Sequence, residues 1–197
     1  VSIGSNIERE PNIRAAVQAL RQRFGTLTLS SVYENRPIGF EGENFYNLVA
    51  AFDTDESPES VTAILHDIER RLGRERGPSR FCSRTIDLDL LLYSDLIREQ
   101  ATLRLPRREV DEYACVLRPL AELAPKARHP RSGEPTRSAT GAVCSRAVTG
   151  HQHGPTNTTW STPASFRTWS TWSASSVTRA SSASTSRARS AWRTRPT

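Results

Sequence analysis

The chain carries apolar residues at helical spacing in two segments, each bounded by residues that start or stop helices. The first follows Pro11-Asn12 and stops before Gly25, with apolar positions Ile13, Ala16, Val17, Leu20 and Phe24. The second has Ser57 as its capping residue, Pro58 in its first turn and Gly73 at its end. Its apolar stripe consists of Val61, Ile64, Leu65, Ile68 and Leu72. This spacing predicts two amphipathic helices.

Alternating or continuous apolar runs around these helices predict strands. The predicted strands are residues 1–3, 26–34, 45–53 and the run around 86–92, with a further short strand near Leu103. A helical segment is predicted at residues 113–123. The element order β-α-β-β-α-β is that of an α/β (α+β) ferredoxin-like sandwich. We therefore expect a mainly antiparallel sheet with helices packed on it.

Two carboxylates stand two residues apart in the stretch Arg84-Thr85-Ile86-Asp87-Leu88-Asp89-Leu90. Because side chains alternate along a strand, Asp87 and Asp89 share one face, roughly 7 Å apart, and the apolar residues share the other. Paired carboxylates on a half-buried surface need a cation or protons to neutralise them, and Mg²⁺ prefers such oxygen ligands. An exposed edge strand is the alternative reading.

Arginines precede this strand at positions 74, 76, 80 and 84. The planar guanidinium suits phosphate oxygens, although a solvated run of charge is the commoner arrangement. Metal-binding carboxylates beside phosphate-binding arginines indicate phosphoryl-type transfer from a nucleotide.

The loop at residues 35–44 leads into Phe45-Tyr46-Asn47, where an aromatic ring and an amide could hold a flat heterocycle. From composition alone, Phe45 as a core residue and Asn47 as a strand-end residue is the favoured interpretation. Gly4-Ser5-Asn6 is read as a turn.

The composition changes sharply at residues 135–137. Beyond this point the chain has no Leu, Ile, Asp, Glu, Lys or Tyr, and Ser and Thr make up 25 of the last 61 residues. We predict a globular domain at residues 1–135. For the Ser/Thr/Arg-rich low-complexity segment 136–197 there are three hypotheses: a disordered tail, an out-of-frame translation, and, less favoured, a basic nucleic-acid-binding arm.

The net charge of +6 comes from this C-terminal segment, which holds eight of the 27 basic residues and none of the 21 acidic ones. The remainder has 19 basic against 21 acidic residues, a net charge of −2, so we expect no nucleic-acid partner. Three cysteines without a CxxC pair favour a reducing compartment. No apolar run predicts a membrane span, so the expected location is the cytoplasm.

Six ordered motifs together resemble the 6-hydroxymethyl-7,8-dihydropterin pyrophosphokinase family. They are residues 2–6, 33–39, 45–47, 68–76, 84–89 and 116–125, with RTIDLDLLL the most specific of them. The resemblance implies transfer of the β,γ-diphosphate of ATP to the hydroxymethyl group of the pterin, with release of AMP, in folate biosynthesis. It also implies two Mg²⁺ ions, ATP as co-substrate, and a monomer that binds small molecules and neither nucleic acid nor membrane.

The resemblance assigns roles residue by residue. The residues expected to act in catalysis are Asp87, Asp89, Arg84 and Arg74, with the two aspartates as metal ligands. ATP-binding roles fall on Glu69, Arg74, Arg76, Arg84, Leu90 and Arg107. Pterin-binding roles fall on Asn35, Pro37, Ile38, Gly39, Phe45, Asn47, Phe81 and Cys115.

Three positions depart from the commoner family pattern. Arg107 stands where the family often has histidine, Tyr113 replaces an arginine, and Cys115 replaces an aromatic residue that stacks on the pterin. Cys115, Arg107 and the expected replacement of the native C-terminal segment motivate a second hypothesis, a catalytically weak paralogue that binds pterin or nucleotide without turnover. A third, a ferredoxin-like RNA-binding module, requires a basic face with exposed aromatic residues, which the charge of residues 1–136 disfavours.

Overall fold

The computed structural model describes residues 1–74 and 82–135. Within these ranges the strands are β1 (Ser2–Ser5), β2 (Thr28–Leu29), β3 (Tyr33–Asn35), β4 (Phe45–Ala51), β5 (Asp87–Asp89), β6 (Arg98–Glu99) and β7 (Arg104–Leu105). The helices are α1 (Arg9–Phe24), α2 (Pro58–Arg71), α3 (Glu109–Glu112) and α4 (Ala114–Leu123). The predicted 136–197 segment lies outside the described residues, and its nature stays a prediction.

The main sheet is antiparallel throughout and has the strand order β2-β4-β1-β5, with β3 also paired to β4. The first and last strands of the β-α-β-β-α-β unit are therefore neighbours, and β1 is central. This topology, with helices packed on the sheet, confirms the expected ferredoxin-like arrangement.

Residues 26–34 do not form the single strand that their alternation predicts. They form β2 and β3, and the chain is irregular at Ser30 between them. Ser30 is buried, its N–H donates to Val49 O at 3.0 Å, and its Oγ accepts a hydrogen bond from Val49 N at 2.9 Å. Because a side chain replaces a backbone acceptor there, the ladder along β4 is interrupted.

Both long helices end where the sequence predicts. Gly25 follows α1 with φ of 80°, and Gly73 follows α2 with φ of 77°, a backbone region that favours glycine. Ser57 caps α2, because its Oγ accepts a hydrogen bond from Ser60 N at 3.1 Å. The first helix begins at Arg9, two residues before the predicted Pro11-Asn12 start.

The two faces of the sheet have different coverings. On one face Ile3, Leu48 and Leu88 lie side by side and are at most 1% exposed. The helices α1 and α2, which contact β1, β4 and β5, cover this face. On the opposite face α4 packs over β3 and β4, where Leu117 and Leu120 join Val49 in a second apolar cluster.

The predicted short strand near Leu103 is observed as β7, which pairs with β6 in a small separate hairpin. The predicted helical piece at 113–123 is α4, with Tyr113 at its N-cap position. The short helix α3 was not predicted. None of the helices in the described ranges is long and apolar enough to span a bilayer.

Candidate active site

The carboxylate pair lies on the sheet face that α4 covers only in part. In β5, Asp87 is paired with Gly4 and Asp89 with Ser2 of the central strand. Leu88 between them is 1% exposed and points into the core on the other face. The structure thus confirms the predicted alternation. β5 is the edge strand of the sheet, but its two carboxylates are only 20% and 22% exposed.

A cavity of about 390 Å³ opens over this face. Ten of the residues predicted for the site line it: Asn35, Ile38, Phe45, Asn47, Arg74, Arg84, Asp87, Asp89, Arg107 and Cys115. They come from β3, β4, β5, α4 and the connections between elements, so the fold joins segments that are distant in sequence. The cavity has a charged end near β5 and an aromatic and amide end near β4.

Three arginines contact the two carboxylates at the charged end. Arg84 donates a hydrogen bond to Asp87 Oδ2. Arg74 Nη1 lies 2.7 Å from Asp87 Oδ1, and Arg107 Nη2 lies 2.7 Å from Asp89 Oδ1. The Asp87 Oδ1 atom is buried and receives no hydrogen bond of acceptable geometry from residues 1–74 and 82–135, despite its contact with Arg74. Because Arg74 is also paired with Glu69 and Arg107 with Glu109, the three described arginines face four carboxylates and neutralise them only partly.

The excess of negative charge at this end of the cavity affects the pKa of Asp89. Burial and the neighbouring Asp87 raise the pKa of its carboxyl to about 6, and Arg107 only partly opposes them. For Arg84, burial acts to lower the pKa of the guanidinium, but Asp87 and hydrogen bonds to Asp87 and Cys82 outweigh it and raise that pKa. The charged end thus retains an affinity for added positive charge.

No group of three or more His, Cys, Asp or Glu side chains suited to a metal occurs within residues 1–74 and 82–135. A metal at this site would thus have two carboxylates, Asp87 and Asp89, and would draw its other oxygen ligands from substrate and water. This donor set fits Mg²⁺, which commonly binds one or two carboxylates together with substrate phosphates.

Side-chain amides organise the other end of the cavity. The Asn47 Nδ2 group donates to Asn35 Oδ1 at 2.5 Å, and the Asn35 Nδ2 group donates to Arg36 O at 2.9 Å. Phe45, two residues before Asn47 on the same strand face, makes an edge-to-face contact with Phe40 at a centroid distance of 6.2 Å. An amide beside aromatic rings can hold a flat, polar-edged ring.

Asn6 connects two segments that border the cavity. Its Nδ2 group donates to Glu43 O and to Ser83 Oγ, and its Oδ1 atom accepts a hydrogen bond from Arg84 N at 2.6 Å. Asn6 is 4% exposed. The predicted Gly4-Ser5-Asn6 turn is wrong for its first two residues, because Gly4 and Ser5 belong to β1 and the chain bends only from Asn6. Asn6 fixes the backbone that carries Arg84.

Comparison with known proteins identifies the family. The sequence model of the 7,8-dihydro-6-hydroxymethylpterin-pyrophosphokinase family matches residues 1–125. The chain belongs to this family. The match covers every described element of the pyrophosphokinase fold from β1 to α4, so the whole cavity lies within it.

Curated relatives agree with this assignment. The 2-amino-4-hydroxy-6-hydroxymethyldihydropteridine pyrophosphokinase of Porphyromonas gingivalis is 36% identical over 141 residues, which cover 68% of this chain and 95% of that protein. The Bacillus subtilis protein of the same name is 38% identical over 127 residues, 62% of this chain and 75% of that protein. The folic acid synthesis protein fol1 of Schizosaccharomyces pombe is 32% identical over 156 residues, 75% of this chain but only 21% of that longer protein.

Glu69 is a predicted ATP-binding residue whose position differs from that of the cavity residues. Its side chain is 1% exposed, and its Oε1 accepts a hydrogen bond from Leu88 N at 2.7 Å on the open edge of β5. The same oxygen is paired with Arg74. Glu69 is not among the residues that line the cavity, and its role towards ATP stays a prediction.

Three further predicted residues, Pro37, Gly39 and Leu90, do not line the cavity. Arg76 and Phe81 lie outside the described residues. The lining also contains Ser2, Gly4, Phe40, Cys82, Glu109, Tyr113 and Val116, which the sequence analysis did not assign to the site. The strand register places Ser2 and Gly4 beside the aspartates, a pairing that no local motif reveals.

The three departures from the family pattern all lie at the cavity. Arg107 pairs with Asp89 and lies 3.4 Å from Glu109 through its Nε atom. Tyr113 and Cys115 stand at the beginning of α4. Burial raises the pKa of the Cys115 thiol to about 11, so that it is a neutral packing group at physiological pH.

Proposed function

We propose that this chain transfers diphosphate from ATP to the hydroxymethyl group of 6-hydroxymethyl-7,8-dihydropterin and releases AMP. The observation that carries the proposal is one cavity with a carboxylate and arginine end and an amide and aromatic end. Family membership and the names of the relatives support the same reaction and do not favour a binding protein without turnover.

The pterin would occupy the end of the cavity formed by Asn35, Asn47 and Phe45. The Asn47 amide presents an acceptor and a donor towards the pyrimidinone edge, and Phe45 offers an aromatic surface. Cys115, in place of an aromatic residue, would offer a weaker stacking surface, and Tyr113 also lines the cavity. Ile38 extends this wall, and Pro37, Gly39 and Phe81 are proposed to complete it.

The phosphates of ATP would bind at the charged end. Arg74, Arg84 and Arg107 contact carboxylates here, and each can exchange that contact for a phosphate oxygen when nucleotide and metal arrive together. Arg76, Glu69 and Leu90 are proposed as further ATP-side residues. Arg107, which stands where the family often has histidine, contacts Asp89 in this chain.

We propose Asp87 and Asp89 as the ligands of two Mg²⁺ ions. When bound, the metal would neutralise the developing charge on the phosphates and polarise the reacting oxygens. The raised pKa of Asp89 is consistent with a site that is short of positive charge.

The chain's own groups orient the reaction. The pterin hydroxyl oxygen forms a bond to the β-phosphorus of ATP, the hydroxyl proton is released, and the bond from the β-phosphorus to the oxygen that bridges to the α-phosphate breaks. AMP leaves with that electron pair. Arginines at the charged end would hold the phosphates in line with the hydroxyl oxygen of a pterin bound at the other end, which lowers the entropic part of the barrier.

We further propose that the protein acts as a monomer in the cytoplasm on small-molecule substrates, without nucleic-acid or membrane partners. The net charge of −2 for residues 1–136 supports the absence of a nucleic-acid partner.

The test is AMP release from ATP and Mg²⁺, with and without the pterin, by the chain and its Asp87→Ala variant. We expect pterin-dependent AMP release that falls at least about a hundredfold in the variant, because charge stabilisation at the phosphates is lost. The exposed Asp95, which does not line the cavity, provides the matched control Asp95→Ala, with unchanged turnover. A folded chain that binds both ligands but releases no AMP would refute the proposed turnover.

A further inference from the structure

Gly4 occupies the middle of the cavity floor, in the central strand of the sheet. It is paired with Asn47 of β4 on one side and with Asp87 of β5 on the other. Directly paired residues of an antiparallel sheet place their side chains on the same face. A side chain at position 4 would therefore stand between the pterin-side amide and the metal-side carboxylate.

No room exists for such a side chain on the Asn47 side. A Cβ atom built on Gly4 would lie 2.8 Å from Asn47 Oδ1, closer than real Cβ contacts allow. The same Cβ would lie 4.0 Å from Asp87 Cβ, which is an ordinary van der Waals distance. The conflict is therefore confined to Asn47.

The backbone itself does not require glycine at this position. Among the described glycines, Gly25, Gly39, Gly73 and Gly133 have positive φ angles, and Gly4 does not. Alanine could adopt the Gly4 backbone conformation without strain. The glycine is thus explained by the space that the Asn47 side chain occupies.

Asn47 cannot move away freely from an added methyl group. Its Nδ2 group is hydrogen-bonded to Asn35 Oδ1 at 2.5 Å, and Asn35 is itself 6% exposed and bonded to Arg36 O. Movement away from Gly4 would have to disturb this amide chain. The Asn47 carboxamide is therefore held between the bare Cα of Gly4 and the Asn35 side chain.

We propose that Gly4 is a positioning residue that strengthens the binding of a pterin ring in the cavity. By having no side chain, it lets the Asn47 carboxamide lie against the sheet, with its acceptor and donor directed along the polar edge of the ring. The inference rests on the proposed function and deepens it. It assigns to Gly4 an effect on pterin binding and none on nucleotide binding, because the phosphate-side neighbour Asp87 tolerates the added methyl group.

The test compares the chain with Gly4→Ala, Asn47→Ala and the double variant. Calorimetry measures the Kd of a non-hydrolysable ATP analogue with Mg²⁺, and then the Kd of the pterin in the presence of that complex. We expect Gly4→Ala to weaken pterin binding by about tenfold or more, as for a lost hydrogen bond. We expect the Kd of the analogue to stay within about twofold. In the Asn47→Ala background, Gly4→Ala should change pterin affinity by less than about twofold, because the group that it displaces is already absent.

Three outcomes would overturn the inference. They are unchanged pterin affinity in Gly4→Ala, an equal loss of analogue affinity, and losses that multiply in the double variant. In each of these the wild-type chain still binds pterin, so the proposed function stands. A wild-type chain that binds the analogue but no pterin would instead refute the proposed function, and the inference with it.

Folding is monitored by thermal denaturation of all four proteins. If Gly4→Ala alone fails to fold, the double variant tests whether the added methyl group conflicts with Asn47. Its recovery of a cooperative transition would show that the added methyl group conflicts with Asn47, as the inference requires. A double variant that is also unfolded would contradict it.

Discussion

Removal of the Glu69 carboxylate should destabilise the protein strongly, although Glu69 has a predicted ATP-side role. The carboxylate is 1% exposed, accepts the Leu88 N–H at 2.7 Å and pairs with Arg74, which is 16% exposed. In Glu69→Ala the Leu88 N–H loses its charged acceptor in a buried place, which costs roughly 1.5–3 kcal/mol. Loss of the side-chain methylenes adds about 1 kcal/mol.

Arg74 limits the total cost, because it keeps its contact with Asp87 in the variant. It is therefore not left as an unpaired buried charge, for which about 3–5 kcal/mol would be expected. We expect a decrease of about 3 kcal/mol in the free energy of unfolding for Glu69→Ala. Glu69→Gln should cost about 1 kcal/mol, because its amide oxygen can still accept the Leu88 N–H bond.

The assay is equilibrium unfolding in urea, fitted with a common slope. Asp67→Ala is the matched control, since Asp67 lies two residues earlier on α2 and pairs with Arg70 and Arg71, whose side chains are 73% and 77% exposed. That variant should lose at most about 1 kcal/mol. A Glu69→Ala protein as stable as the control, with weakened binding of the ATP analogue, would refute the structural role and favour a direct nucleotide contact.

Two other variants test the charged end and the C-terminal segment. Asp89→Asn should be more stable than the wild type at pH 7 without metal, and it should lose turnover. Burial raises the pKa of Asp89 from 3.8 to about 6. Because the folded state then binds the proton more tightly than the unfolded state, the wild type loses stability as the pH rises through that range. The higher melting temperature of the variant should therefore disappear near pH 4. Equal melting temperatures at pH 7 would contradict this reasoning. Ending the chain after Pro135 should leave the melting temperature unchanged, because the removed segment lacks Leu and Ile; a drop of several degrees would mean that it packs on the domain.

The fold was largely predictable because its local signals agree with its topology. Helix α2 has a cap at Ser57, a first-turn proline and a continuous apolar stripe, and it forms where these signals place it. The β2–β3 interruption was not predictable, because it depends on the Ser30 side chain bonding to Val49, which is distant in sequence. The alternation of apolar residues describes a single strand and does not indicate its hydrogen bonds to other strands.

The clustering of carboxylates and arginines at one end of the cavity was predictable, because Asp87 and Asp89 stand close together in the sequence with arginines before them. The roles of Gly4 and Glu69 could not be read in this way. The role proposed for Gly4 depends on the absence of a side chain opposite Asn47. The role of Glu69 depends on a buried contact between α2 and the edge of β5. Both contacts can be identified only once the pairing of the strands in the folded protein is known.

The pairing of β5 with β1 also limits how this site can change. A slip of one residue would turn Asp87 and Asp89 into the α1/α2 core and expose Leu88 to the cavity, so the smallest admissible slip is two residues, or about 7 Å. The carboxylates can therefore move along the strand only in steps of two residues. A small change in their position cannot arise from a change in the register of β5. Variation in the shape of the cavity should arise in the connecting loops and at the beginning of α4, where Tyr113 and Cys115 already differ from the commoner family pattern.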